Sequence, residues 1–204
     1  MSAPLPQPHA PGTAVRSRGV PLLWVCGARA VGKSSVGWEI FMRLVRDGVT
    51  AAYVDLAQLG FVTPAPADDP GGHRLRARAL GVVWAEYAAM GARRLILSGD
   101  APGHGIVRLY IDAVPGAEPV VCRLRAAPDR LAERLLRRGR GEGPPLPGDD
   151  LLGLPAASLL RHVERSALDT GHADIAVDTS HLTVAQAADL VLAKGWPLSG
   201  DREP

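Results

Sequence analysis

An apolar run, Leu22-Leu23-Trp24-Val25-Cys26, leads straight into Gly27-Ala28-Arg29-Ala30-Val31-Gly32-Lys33-Ser34, and a long apolar-rich segment follows. The pattern is G-x-x-x-x-G-K-S, a phosphate-binding loop between a strand and a helix. Its glycines let successive backbone N–H groups curl round a phosphate, Lys33 reaches the outer oxygens, and Ser34 offers a hydroxyl to Mg²⁺. The positive N-terminal end of the following helix points at the same place. Lys33 and Lys194 are the only lysines among 23 Lys and Arg residues, so one of two ammonium groups stands where such a loop requires one. Gly27, Ala28, Arg29, Ala30, Val31, Gly32, Lys33, Ser34 and Ser35 are therefore assigned to nucleotide phosphate binding.

With 204 residues the chain can hold one domain with a proper core. An apolar share of 47% and a charged share of 22% are those of a globular protein. A net charge of +2 argues for neither a nucleic-acid nor a membrane partner. No apolar run approaches the length of a membrane span, and no targeting segment opens the chain, so a cytoplasmic protein is expected. Residues 1–19, with Pro4, Pro6, Pro8 and Pro11, read as a disordered tail, residues 20–196 as the domain, and residues 197–204 as a second tail. Cys26 and Cys122 fall within expected strands, where a thiol behaves as a small buried hydrophobe.

Taken in order, Gly32 to Asp47 is apolar on nearly all sides and predicts a buried helix, ended by Gly48 in a left-handed conformation. Thr50 to Asp55 is a short strand closing on an acid. In open α/β sheets, ligands bind beyond the carboxyl ends of the strands, so Asp55 is placed beside the phosphates. There it would hold Mg²⁺ through water or take a proton from a substrate hydroxyl; the plainer reading is an Asp that caps the next turn. A mobile loop is expected from Phe61 to Gly72, then a helix from His73 to Met90. Arg74 and Arg78 share a face of that helix and suit an anionic group on a substrate, while Arg76 points elsewhere. Arg94 to Ser98 is a third strand, with Asp100 just beyond it as a further substrate-site acid. A short helix near Ile106 to Ala113 precedes a fourth strand, Pro119 to Leu124.

A basic helix, Pro128 to Arg138, runs into a cationic Gly- and Pro-rich stretch, so residues 137–150 are read as a lid. Arg137, Arg138 and Arg140 would supply charge to a phosphoryl group in transfer. A helix from Leu154 to Leu168, a fifth strand from Asp174 to Asp178, and a last helix opened by the Thr183-Gln186 capping box complete the chain. Alternating strands and helices at this spacing make a parallel sheet covered on both faces.

This layout resembles the small P-loop kinases, the family of shikimate, gluconate and adenylylsulfate kinases and the chloramphenicol phosphotransferase group. The resemblance rests on the Gly27–Ser34 loop, Asp55 at the end of the second strand, and Val121 to Pro128 leading into an Arg-rich lid. It implies an α/β three-layer P-loop NTPase fold with a five-stranded parallel sheet of order 2-3-1-4-5. It also implies ATP and Mg²⁺ as cofactors, Ser34 and Asp55 near the metal, and Asp178 and Thr179 near the nucleotide base. Asp55 has no flanking second acid as in the Asp-x-Asp of shikimate kinases, and no Gly-rich substrate loop follows the third strand. These departures leave the phosphoryl acceptor open.

The expected function is a kinase passing the γ-phosphoryl group of ATP to a hydroxyl of a small molecule. Lys33, Asp55 and the lid arginines would be its catalytic groups. The alternatives are a non-catalytic ATP-binding regulatory protein, or a GTPase-type switch suggested by Asp100-Ala101-Pro102-Gly103-His104. The second lacks any Asn-Lys-x-Asp guanine-reading sequence. The sequence leaves the oligomeric state open.

Overall fold

The computed structural model describes residues 19–142, 150–167, 171, 173–194 and 196. Both expected tails other than Gly19, and residues 143–149 of the expected lid, lie outside them. Five strands are found: β1 (Val20–Gly27), β2 (Ala52–Asp55), β3 (Leu95–Ser98), β4 (Ala117–Arg125) and β5 (Ile175–Asp178). They form one parallel sheet of order β2-β3-β1-β4-β5, as expected. Six helices connect or cover them: α1 (Lys33–Arg46), α2 (His73–Ala89), α3 (His104–Asp112), α4 (Pro128–Gly139), α5 (Ala156–Ala167) and α6 (Val184–Ala193).

The continuous apolar run of β1 reflects its central place, because Leu22 through Cys26 are completely buried between two helical layers. Side chains alternate across the sheet. Leu23 and Val25 join Ile40 and Leu44 of α1 and Val191 of α6 on one face. Leu22, Trp24 and Cys26 join Leu80 and Trp84 of α2 and Tyr110 of α3 on the other. Cys26 and Cys122 are unbridged and buried, and burial pushes the Cys122 thiol up to about 12. No helix among the described residues is long and apolar enough to cross a membrane.

Helix α1 departs from the expectation of burial all round. Val36, Ile40 and Leu44 form its buried stripe, whereas Trp38 and Val45 stand about half exposed, at 50% and 48%. The helix packs on one sheet face, so only that stripe can be covered. The segment before α2 also differs from a featureless loop. Asp69 is buried, and its carboxylate accepts from the backbone N–H groups of His73 (2.8 Å), Arg74 (2.9 Å) and Leu75 (3.3 Å). Three of the orphan donors of α2 are thereby satisfied, which seats the helix at the sheet's edge. Burial works to raise the Asp69 pKa, but these donors hold it below the ordinary carboxylate value.

Strand register sets the level of the site. Asp55 pairs with Ser98, and Ser98 with Val25, so β1, β2 and β3 reach their carboxyl ends together. The capping box of α6 forms as the sequence predicts, with Gln186 N–H donating to Thr183 Oγ1 at 3.2 Å and Thr183 N–H to Gln186 Oε1 at 2.9 Å.

Candidate active site

The loop between β1 and α1 needs backbone conformations that its sequence permits. Gly27 has φ +137° and Gly32 φ +107°, with Ala30 at φ +59° between them. A Cβ at Gly27 would lie 2.3 Å from the Leu124 carbonyl oxygen, so only glycine lets the loop cross β4 there. Helix α1 opens with no side-chain cap and no acid in its first turn. Its first N–H groups are left for an anion.

Lys33 lies back along the loop. Its ammonium donates to the carbonyl oxygens of Gly27 (3.1 Å) and Ala28 (3.0 Å) and pairs with Asp100 Oδ1 at 3.0 Å. Asp100 is 58% exposed, and an ion pair of that kind is worth about 0–1 kcal/mol, so a phosphate can replace it at little cost. Val31 points into the core and anchors the loop. Arg29 pairs with Asp150, which ties the loop to the segment before α5.

A cavity of about 480 Å³ opens above the strand ends. Arg29, Ala30, Lys33 and Ser34 line it from the loop, and Asp55 and Asp100 from the ends of β2 and β3. Asp55 also caps the single 3-10 turn Leu56–Gln58, accepting from Ala57 N–H at 3.0 Å with one carboxylate oxygen. The plainer reading of this residue therefore holds together with its position in the cavity.

The cations that α2 turns to the cavity differ from those singled out in the sequence. Arg74 pairs with Asp68, Arg78 is exposed, and neither lines the cavity. His73 and Arg76 of α2 do. The helical position of Arg76 diverges from that of Arg74 and Arg78. The diverging face is the one turned to the sheet ends. Of the lid arginines, Arg138 lines the cavity, while Arg137 and Arg140 are both held by Glu142, at 3.2 and 2.6 Å.

On the far side of the loop, Arg134 of α4 donates to the Val31 carbonyl oxygen (3.3 Å), Thr179 Oγ1 (3.1 Å) and the Thr179 carbonyl oxygen (2.7 Å). Thr179 is buried, and its hydroxyl is within bonding distance of the carbonyl oxygens of Arg125 (3.0 Å) and Val31 (3.2 Å). Asp178 accepts from Ser180 N–H at 2.8 Å and from the Ser180 hydroxyl, which holds its carboxyl below the ordinary value. Asp178 and Thr179 thus border the loop without lining the cavity. Arg134 was hidden in the sequence among the many basic residues of α4.

His73 Nδ1 lies 3.2 Å from the Tyr110 hydroxyl, and burial, then the neighbouring Arg76 charge, lowers the His73 pKa. The folded protein thus disfavours the imidazolium, whereas the unfolded chain takes up the proton below about pH 6.5. Stability present above that pH is lost as the pH falls from there toward the lower folded value. The melting temperature of the native protein should fall further between pH 7.5 and 5.5 than that of His73→Gln. Parallel pH curves for the two proteins would show that the ring carries no such linkage.

No protein-family model matches the chain, and no curated protein matches its sequence. Solved structures match its fold. A gluconokinase from Sinorhizobium meliloti 1021 aligns with a TM-score of 0.55 at 20% identity, over 88% of this chain and 92% of that one. The tunicamycin resistance protein of Deinococcus radiodurans aligns with 0.55 at 19%, over 86% and 95%. The APS kinase of Mycobacterium tuberculosis, solved in complex with AMPPNP and APS, aligns with 0.52 at 17%, over 86% and 97%. The chain has the fold of the small P-loop kinases across nearly its whole described length.

Proposed function

We propose that the protein is an ATP- and Mg²⁺-dependent kinase that transfers the γ-phosphoryl group to a hydroxyl of a small molecule. The observation that carries this reading is the convergence of the phosphate loop's Lys33 with the strand-end acids Asp55 and Asp100 on one 480 Å³ cavity. Arg76, Arg138 and His73 line that same cavity. Its volume suits a small substrate. The fold shared with the APS kinase solved with AMPPNP supports ATP as donor.

The uncapped N–H groups of α1 and the loop bind the phosphates. Lys33 exchanges its contact with Asp100 for the outer phosphate oxygens. The Ser34 hydroxyl, with Asp55 or Asp100 acting directly or through water, offers the hard oxygen ligands that suit Mg²⁺. Bound there, the ion would neutralise charge on the β- and γ-phosphates. Asp55 orients the acceptor hydroxyl and takes its proton, and Arg138 balances charge on the phosphoryl group in transfer. Arg76 gives the acceptor pocket a cation suited to a carboxylate or phosphate, and its Nε is buried without a protein partner. Arg134, Asp178 and Thr179 border the side of the loop where the nucleotide base belongs.

A panel of polyols, sugar acids, nucleosides and hydroxyl-bearing antibiotics, scored for ATP consumption with and without Mg²⁺, tests this reading. The expected hit consumes ATP in preference to GTP and only with Mg²⁺ present. Nucleotide binding with no consumption across the panel would instead favour the non-catalytic ATP-binding protein.

A further inference from the structure

The phosphate loop carries a cation besides Lys33. Arg29 stands at the tip of a tight turn in which the Val31 N–H donates to the Ala28 carbonyl oxygen at 3.4 Å. Ala30, the other central residue of that turn, has φ +59° and is the one non-glycine residue at positive φ among the described residues. A residue of that kind stays in this conformation because its surroundings hold it there, and such positions concentrate at ligand clamps. Here the surroundings can be named. Val31 is buried, its carbonyl oxygen accepts from Arg134, and Ala30 packs against the buried cluster of Leu135, Leu151 and Leu159. The backbone of Arg29 is thereby fixed, and its side chain lines the nucleotide cavity with Lys33 and Ser34.

The Arg29 guanidinium pairs with Asp150, and a phosphate can displace that partner. The side chains of the pair are 37% and 65% exposed, and exposed ion pairs hold weakly. The pair is also not what seats the segment before α5 on the loop, because Ala30 packed against the Leu151 cluster does that with apolar contact. Lys33 and Asp100 repeat the arrangement. Each loop cation rests on a partly solvated carboxylate at the wall of one cavity, which Asp100 and Asp150 both line. An incoming anion would release both cations from their carboxylates.

We propose that Arg29 is a catalytic residue, a cation carried by the phosphate loop itself that leaves Asp150 when ATP and Mg²⁺ bind and neutralises charge on the γ-phosphoryl oxygens during transfer. This rests on the kinase reading above. In the transfer step the acceptor oxygen bonds to the γ-phosphorus as the bond to the β–γ bridging oxygen breaks. The electron pair of that bond leaves with ADP, and the acceptor proton passes to Asp55. Negative charge then spreads over the three outer oxygens of the group in flight. A planar guanidinium can meet two of those oxygens at once, which the compact ammonium of Lys33 does not match. Arg29 reaches the cavity from the loop and Arg138 from α4, so the two cations approach the phosphoryl group from different elements.

ADP with aluminium fluoride, a mimic of the phosphoryl group in transfer, tests this without any acceptor. Calorimetric titration with ADP and Mg²⁺, with and without aluminium fluoride, gives the gain in affinity that the mimic confers. In the native protein that gain should be about 10²-fold or more. Arg29→Met should keep ADP affinity within about three-fold and lose about 10²-fold of the gain, as removal of one charge-stabilising group does. Arg29→Lys retains the charge and should recover part of it. Asp150→Asn frees Arg29 and should bind the mimic at least as tightly as the native protein. An undiminished gain in Arg29→Met would overturn the assignment. Equal losses in Arg29→Met and Asp150→Asn would also overturn it, and would make the pair a structural tie. ADP binding with no gain in the native protein would reject the kinase reading and the role of Arg29 together, and would leave the nucleotide site standing.

Discussion

Replacing Lys33 with alanine is expected to abolish the stabilisation that ATP and Mg²⁺ confer on the native protein. At about 100 times its dissociation constant, a ligand that binds only the folded state adds about 2.7 kcal/mol. For a chain of this length that raises the melting temperature by several degrees. Lys33 supplies the only lysine ammonium at the loop, and its contacts are the two loop carbonyls and the partly exposed Asp100. Removing it should therefore leave the unliganded melting temperature close to native, since such a pair contributes about 0–1 kcal/mol. The ligand-dependent shift alone disappears. Equal stabilisation of native protein and Lys33→Ala by ATP would reject the phosphate loop as the binding site.

Asp55→Asn separates binding from transfer. The asparagine side-chain oxygen can still accept from Ala57 N–H, so the 3-10 turn and the cavity wall stay in place. ATP binding, read by the same thermal shift, should remain within a few-fold of native. Turnover of the acceptor found in the panel should drop by about 10²-fold or more, as loss of a general base does. Native turnover in the variant would leave Asp55 as a cap alone. A lost thermal shift that returns at high Mg²⁺ would place its main contribution at the metal.

Much of the candidate site was legible because its residues sit in local patterns. The loop from Gly27 to Ser34 is a local motif, and an acid at the end of a short apolar strand can be located by the strand rule alone. Asp55, Asp100 and Lys33 meet in the cavity for that reason. The cations of α2 were not legible. Arg74, Arg76 and Arg78 are two residues apart, so neighbours in the series project about 200° from each other, and the sequence says only that one will face away from the other two. Docking of α2 on the sheet, fixed by buried Ala77, Leu80 and Trp84 and by Asp69 at its start, turned Arg76 and His73 inward. Arg134 was not legible for a similar reason, and Thr179, placed near the nucleotide base by the resemblance alone, is tied to the loop by a bond that no local pattern shows. Their bonds to Val31 join residues 103 and 148 positions apart.

The sequence by itself determined the alternating α/β architecture and the presence of a G-x-x-x-x-G-K-S loop between a strand and a helix. Each depends on short-range pattern: apolar runs, glycine at positive φ, and capping residues next to the helices they start. Only the tertiary structure decided which of the arginines line the cavity and that Glu142 holds Arg137 and Arg140. It also decided that the outer face of α1 forms an apolar groove. Those outcomes follow from how each helix is rotated on the sheet. That rotation is set by packing summed over the whole core, which no local stretch of sequence encodes.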